Sequence, residues 1–103
     1  MVGNNTQDIL VNATIANQGT LLTIFEYVGG VFTRVNTSAK NEDGTYAVDT
    51  ILTEQTIINS LISGNVWYGI TIFDKKDYYG IYAPIYDSNT NALIGAKGTG
   101  VPF

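Results

Sequence analysis

An α+β domain, with an antiparallel sheet crossed once by a helix, is the fold class this sequence predicts. Three observations carry it. Two β-rich runs, 20–28 and 31–39, flank Gly29-Gly30, which is a strong hairpin signal. One run, 53–64, places Ile57, Ile58, Leu61 and Ile62 at helical spacing. Three further β-rich runs, separated by short polar turns, close the chain, and a meander after a single crossover helix belongs to the α+β class.

The elements follow in order. Residues 1–8 read as a polar lead-in, and 9–16 (ILVNATIA) as a strand or a short helix. The hairpin comes next, then a polar turn centred on Asp43-Gly44. Residues 46–52 read as a short strand or an extended approach to the helix. Thr53 is the expected N-cap, Glu54 puts an acid in the first turn, and Gly64 stops the helix, which runs over about 53–63. A strand over 66–74 leads to a Lys75-Lys76-Asp77 turn. The strand over 78–87 contains Pro84, which argues for an edge position or a bulge. A turn at 88–91 and a Gly-rich strand at 92–101 complete a sheet of five to six strands. The 103 residues make one domain, with a lead-in over 1–18 and a core over 19–103.

Composition excludes several function classes. Hydrophobic residues make up 45% and charged residues only 14%, so the chain is globular rather than disordered. A formal net charge of −4 offers no basic footprint for nucleic acid. The one adjacent basic pair, Lys75-Lys76, is flanked by Asp74 and Asp77, so no polybasic membrane patch exists either. Without cysteine or histidine, thiolate chemistry, zinc-thiolate sites and a Ser-His-Asp hydrolase cannot be built. Glu42 and Asp43 read as a solvated turn. Asp74, Asp77 and Asp87 lack the spacing of a calcium loop, so no metal is expected. The tail 95–100 (GAKGTG) follows a strand but opens no helix, which rules out a phosphate loop.

The strands carry apolar residues on both faces. Tyr68, Ile70 and Ile72 point one way and Thr71 and Phe73 the other; Ile81, Ala83 and Ile85 oppose Tyr82 and Tyr86. One helix covers one face only, so the other needs the N-terminal segment or another chain.

Five local patterns, in this order, carry a family resemblance. They are Thr23-Ile24-Phe25; Arg34-Val35-Asn36-Thr37; Asp43-Gly44 followed by Asp49-Thr50; Gly64 with Tyr68-Gly69; and Tyr79 through Tyr82 to Pro84-Ile85, followed by Asp87 and Gly95. Over about 19–100 the chain resembles the single-Cache, PAS-like sensor domains of bacterial chemoreceptors (methyl-accepting chemotaxis proteins) and sensor kinases. Asp49-Thr50 departs from the usual Gly-Thr pair, which puts that turn in doubt. Asp74 to Asp77 replaces a shorter Gly-containing turn. The long N-terminal helix and the membrane spans of the family are missing, which implies an excised core or a truncated relative. The resemblance implies sensing of a small molecule, often a short organic acid, in a pocket between the sheet and the segment before the third strand. It also implies a position on the periplasmic or extracellular side of a bacterial membrane, a membrane-anchored parent, a homodimer, no cofactor and no catalysis.

Arg34, the sole arginine, is the first candidate. Strand alternation puts Phe32, Arg34 and Asn36 on one face and Val31, Thr33, Val35 and Thr37 on the other. At a pocket, the planar guanidinium fork would hold a carboxylate. On a solvated strand, its stem would cover a tyrosine while its head stayed in water. Tyr68, Tyr79 and Tyr82 offer rigid walls with hydroxyl donors, or else are tyrosines at a core edge. Thr37 and Thr71 are candidate hydroxyl donors, or plain strand threonines. Trp67, facing away from Tyr68, reads as core. Two functions compete: a sensor for a small ligand, anionic in character, anchored by Arg34, and a structural module that dimerises through an exposed sheet face and takes no small ligand. An enzyme would need paired carboxylates on one pocket face, and no such pair is legible.

Overall fold

The computed structural model describes residues 20–73 and 75–102. The lead-in, the strand or helix read over 9–16 and the expected lack of a long N-terminal helix lie outside the described residues, as does Asp74. Five strands, β1 (Leu21–Val28), β2 (Val31–Thr37), β3 (Trp67–Phe73), β4 (Lys76–Tyr86) and β5 (Leu93–Pro102), form one antiparallel sheet in the order β2-β1-β5-β4-β3. One helix, α1 (Gln55–Ile62), joins β2 to β3. This is the α+β, PAS-like architecture that the sequence implies: hairpin, helix, meander, with β5 returning to pair with β1.

Local chemistry explains most boundaries. Gly29 and Gly30 both take positive φ in the β1–β2 turn, and Val28 pairs with Val31. Gly64, at φ +83°, ends α1 in a Schellman motif: its N–H donates to the Leu61 carbonyl and the Asn65 N–H to the Ser60 carbonyl. The N-cap is Glu54 rather than the expected Thr53, and no side chain caps the helix. Glu54 is instead held by a tertiary partner, described below. The β3–β4 turn is also shorter than the Lys75-Lys76-Asp77 run suggested. Phe73 pairs with Lys76, so Lys76 and Asp77 belong to β4 and Lys75 takes φ +62°. Asp49 adopts φ +70°, the conformation that a glycine would take most easily. Its N–H donates to the Arg34 carbonyl at 2.7 Å, which ties the turn to β2 with aspartate in it. Residues 46–52 make isolated bridges only and are broken by a turn at Val48-Asp49, so they form neither a regular strand nor a continuous extended approach to the helix.

Pro84 pairs with Ala96 of β5, beyond Trp67↔Tyr82, where β3 ends its pairing with β4. Among the described residues no strand flanks β4 here, and a register shift follows between Ile85 and Tyr86, so the missing N–H costs no ladder bond to β3. A second irregularity has more effect. Between Ile24 and Phe25 the β1–β2 register slips, pairing Ile24 with Asn36 but Phe25 with Arg34. Val35 is the extra residue of this bulge. The expected alternation therefore holds from Phe32 to Arg34 and then inverts. Thr37 joins the inner face beside Thr23, and Asn36 leaves it.

The core lies on the inner face. Phe25, Phe32, Leu52, Ile57, Leu61 and Ala96 are buried together, with Trp67 and Tyr82 packed against them. Among the described residues, none covers the outer face over β3 and its neighbours. Tyr68 stands beside Ile81, Ile70 beside Tyr79, and Tyr79 beside Val101, all of them exposed. The two sheet edges also differ. Along β2, the Arg34 N–H donates to the Thr50 carbonyl and the Leu52 N–H to the Phe32 carbonyl, so residues 49–52 cover that edge. β3 has no strand beyond it among the described residues.

Candidate ligand-binding site

A cavity of about 30 Å³ opens on the inner face. Thr23, Arg34, Glu54, Thr71, Phe73, Tyr78 and Tyr82 line it, with Gly98 and Gly100 of β5 beneath. The glycines make the space. A methyl group at Gly98 would stand 2.9 Å from the Tyr82 ring and 3.3 Å from Phe25, so only a bare backbone lets the two aromatics close over it.

Arg34 reaches this cavity because the bulge comes after it, which keeps it in phase with Phe32. Its guanidinium carbon lies 5.3 Å from the centre of the Phe25 ring and 5.5 Å from that of Phe73. Its Nη1 donates to Thr50 Oγ1 at 3.2 Å and to the Ile51 carbonyl at 3.0 Å. Both acceptors are neutral. Burial pushes the Arg34 pKa down, while Tyr82 and Glu54 pull it up. The group remains a cation at physiological pH. A half-buried cation between two rings, bonded among the described residues to neutral acceptors, is poorly compensated for the water it has lost.

Glu54, at the start of α1, accepts a hydrogen bond from Thr71 Oγ1 at 2.7 Å. That contact spans 17 residues of sequence, ties the helix start to β3, and draws the carboxylate to the cavity wall. Tyr82 has its pKa raised, first by burial and then by the Glu54 charge, against a Thr71 hydrogen bond and the Arg34 charge. Its hydroxyl therefore stays a donor well into alkaline solution. The unfolded chain gives up that proton near the ordinary value of 10.0 and the folded chain only above it. The resulting stability is complete below pH 10.0 and is lost as pH climbs through the raised folded value. Tyr82→Phe is expected to remove one high-pH step from an ultraviolet-absorbance titration and to flatten the alkaline fall in stability.

The structure brings together Arg34, Thr71 and Tyr82 from the sequence candidates. Thr37 is buried behind the wall, its Oγ1 2.8 Å from Thr23 Oγ1 and accepting from the Ala39 N–H. Tyr68 and Tyr79 are 63% and 53% exposed on the outer face and do not reach the cavity. Phase explains both. Each stands three residues from an inner-face position, Thr71 and Tyr82 respectively, and three is an odd number. Tyr78 takes the place expected of Tyr79, in phase with Gly80 and Tyr82. Glu54 was missed because nothing local reveals a carboxylate that is recruited by a distant strand. Trp67 packs edge-on against Tyr82 with ring centres 5.8 Å apart, in keeping with a core role.

The turn acids are solvated. Asp43 accepts from the hydroxyl and N–H of Thr45, and Asp87 from the N–H groups of Asn89 and Thr90; these bonds lower both pKa values. No group of three potential metal ligands occurs among the described residues, and no described helix is long and apolar enough to cross a membrane.

A family model described as single Cache domain 3 matches residues 2–103, farther toward the N-terminus than the local patterns reach. No curated protein matches the chain. No solved structure matches it. Cache domains are sensor domains that bind small molecules and typically stand outside the cytoplasm. The family match, over nearly the whole chain, agrees with the five-stranded sheet and its single described helix, and the chain belongs to the single Cache domain family.

Proposed function

We propose that this domain is the ligand-binding part of a bacterial chemotaxis or signal-transduction receptor, that it stands outside the cytoplasm, and that it binds a short organic acid. One observation carries the reading: the Arg34 guanidinium is desolvated at a cavity wall, and its hydrogen bonds go to neutral groups. A carboxylate would accept from the fork, with the Tyr82 hydroxyl on the same cavity wall as a further donor.

A thermal-shift screen of short carboxylates against neutral controls tests this. A ligand at 100 times its dissociation constant stabilises by about 2.7 kcal/mol, which raises Tm by several degrees in a domain of this size. Arg34→Ala is expected to weaken the hit by about 10- to 100-fold, since hydrogen bonds to a charged group contribute about 1.5–3 kcal/mol. Unchanged affinity in a variant with a native circular-dichroism spectrum would remove Arg34 from the site.

The outer face, uncovered among the described residues, supports a second reading. Apolar side chains of three strands, among them Ile70, Tyr79 and Val101, meet there in register, as a homodimer surface requires. A flat ligand screen together with concentration-dependent dimerisation in sedimentation would favour that interaction role. Ligand binding by a dimer would join the two.

A further inference from the structure

Within the cavity two opposite charges stand apart. Arg34 and Glu54 both line it, and each is close enough to the other for the Glu54 charge to act on the Arg34 pKa. Yet among the described residues they make no ion pair within 4.0 Å. Separate tethers hold them. Thr50 and Ile51 fix Arg34 through Nη1, and Thr71 fixes Glu54 through one carboxylate oxygen. No hydrogen bond to Nε or Nη2 of Arg34, or to the second oxygen of Glu54, occurs among the described residues. Two partly desolvated opposite charges would gain by closing on each other. Held apart around an open space, they match an occupant that carries both signs.

We propose that Glu54 is the second pole of the site, and that the ligand is a small zwitterion of the α-amino-acid type. Its carboxylate faces Arg34 and its ammonium faces Glu54. This rests on the carboxylate-sensing reading and narrows it. A simple monocarboxylate would satisfy Arg34 but would lie in the field of the Glu54 charge with no donor to offer it. A free amine would satisfy Glu54 and meet the Arg34 cation. An α-amino acid places the two groups on one carbon and answers both walls at once. Phe73, Tyr78 and Tyr82 wall the site and its volume is only about 30 Å³, which favours the smallest amino acids.

The test is calorimetric titration of the folded domain with matched pairs: glycine and acetate, alanine and propionate, with ethylamine as the cationic control. In the wild type, the amino acid of a pair is expected to bind at least about tenfold more tightly than its deamino partner, with ethylamine silent. Glu54→Gln keeps an acceptor for Thr71 but removes the charge. It is expected to abolish the preference by weakening the amino acid and strengthening the plain acid. A merely structural role for Glu54 would lower both affinities together and leave their ratio unchanged, which overturns the assignment. Equal or tighter binding of the plain acid in the wild type overturns the zwitterion and leaves the carboxylate sensor standing. Binding by neither acid overturns both.

Discussion

Leu61→Ala is expected to lower the stability of the domain by about 3 kcal/mol or more, and Tm by about 15 °C, in denaturant and thermal unfolding. The side chain is fully buried, as is that of Ile57 one turn earlier, and these two are the points at which α1 enters the core beside Phe25, Phe32 and Leu52. The helix is eight residues long and lacks a side-chain cap, so it has little stability of its own and depends on this packing. Truncation leaves a cavity that the sheet, tied by its ladders, cannot collapse to fill. A domain of this class has about 5–15 kcal/mol in total, so the loss is a large fraction of it. Ile62→Ala, on the exposed side of the same helix, is the control and should stay within about 0.5 kcal/mol of the wild type. Similar losses from the two variants would mean that α1 does not hold the inner face closed.

Gly95→Ala is expected to cost about 3 kcal/mol, for a reason of space rather than conformation. Gly95 pairs with Glu26, and a methyl group there would collide with the Phe25 carbonyl oxygen. The neighbour is backbone, which cannot swing aside. Either β5 separates from β1 or the Phe25 segment shifts. Phe25 carries one of the two rings under Arg34, so the strain runs directly to the cavity. The expected signature is therefore double: a lower denaturant midpoint, and a changed near-ultraviolet circular-dichroism band from Trp67 and Tyr82. Loss of stability with an unchanged aromatic band would confine the damage to the ladder.

These two positions also mark what a sequence discloses. Local signals were legible: the paired glycines of the hairpin, Gly64 at the helix end, and the strict alternation of β3 with its bare apolar side. Arg34 stood out by being unique, and it does reach the cavity. What failed was phase and distance. The Val35 bulge has no signature of its own, yet it inverts Asn36 and Thr37. It leaves Asn36 buried, its Nδ2 without a hydrogen-bond partner among the described residues. Tyr68 and Tyr79 stood as candidates beside Tyr82, although counting by twos from Thr71 and Tyr82 puts them on the outer face. Glu54 took the helix N-cap from Thr53 without capping it, because Thr71 offered its carboxylate a tertiary partner at 2.7 Å. No window of the sequence contains both residues.

The unequal edges of the sheet set a limit on stoichiometry. Strand addition needs a free row of backbone donors and acceptors. On β2 residues 49–52 already occupy that row, whereas the far side of β3 is open among the described residues. A molecule with two open edges is bivalent and can polymerise into a ribbon. Among the described residues this one offers a single open edge strand, β3. Two copies joining β3 to β3 would consume both vacancies, giving a ten-stranded sheet with a guarded strand at each end. As far as the described residues go, association by β3 pairing would therefore terminate at the pair rather than propagate into fibres.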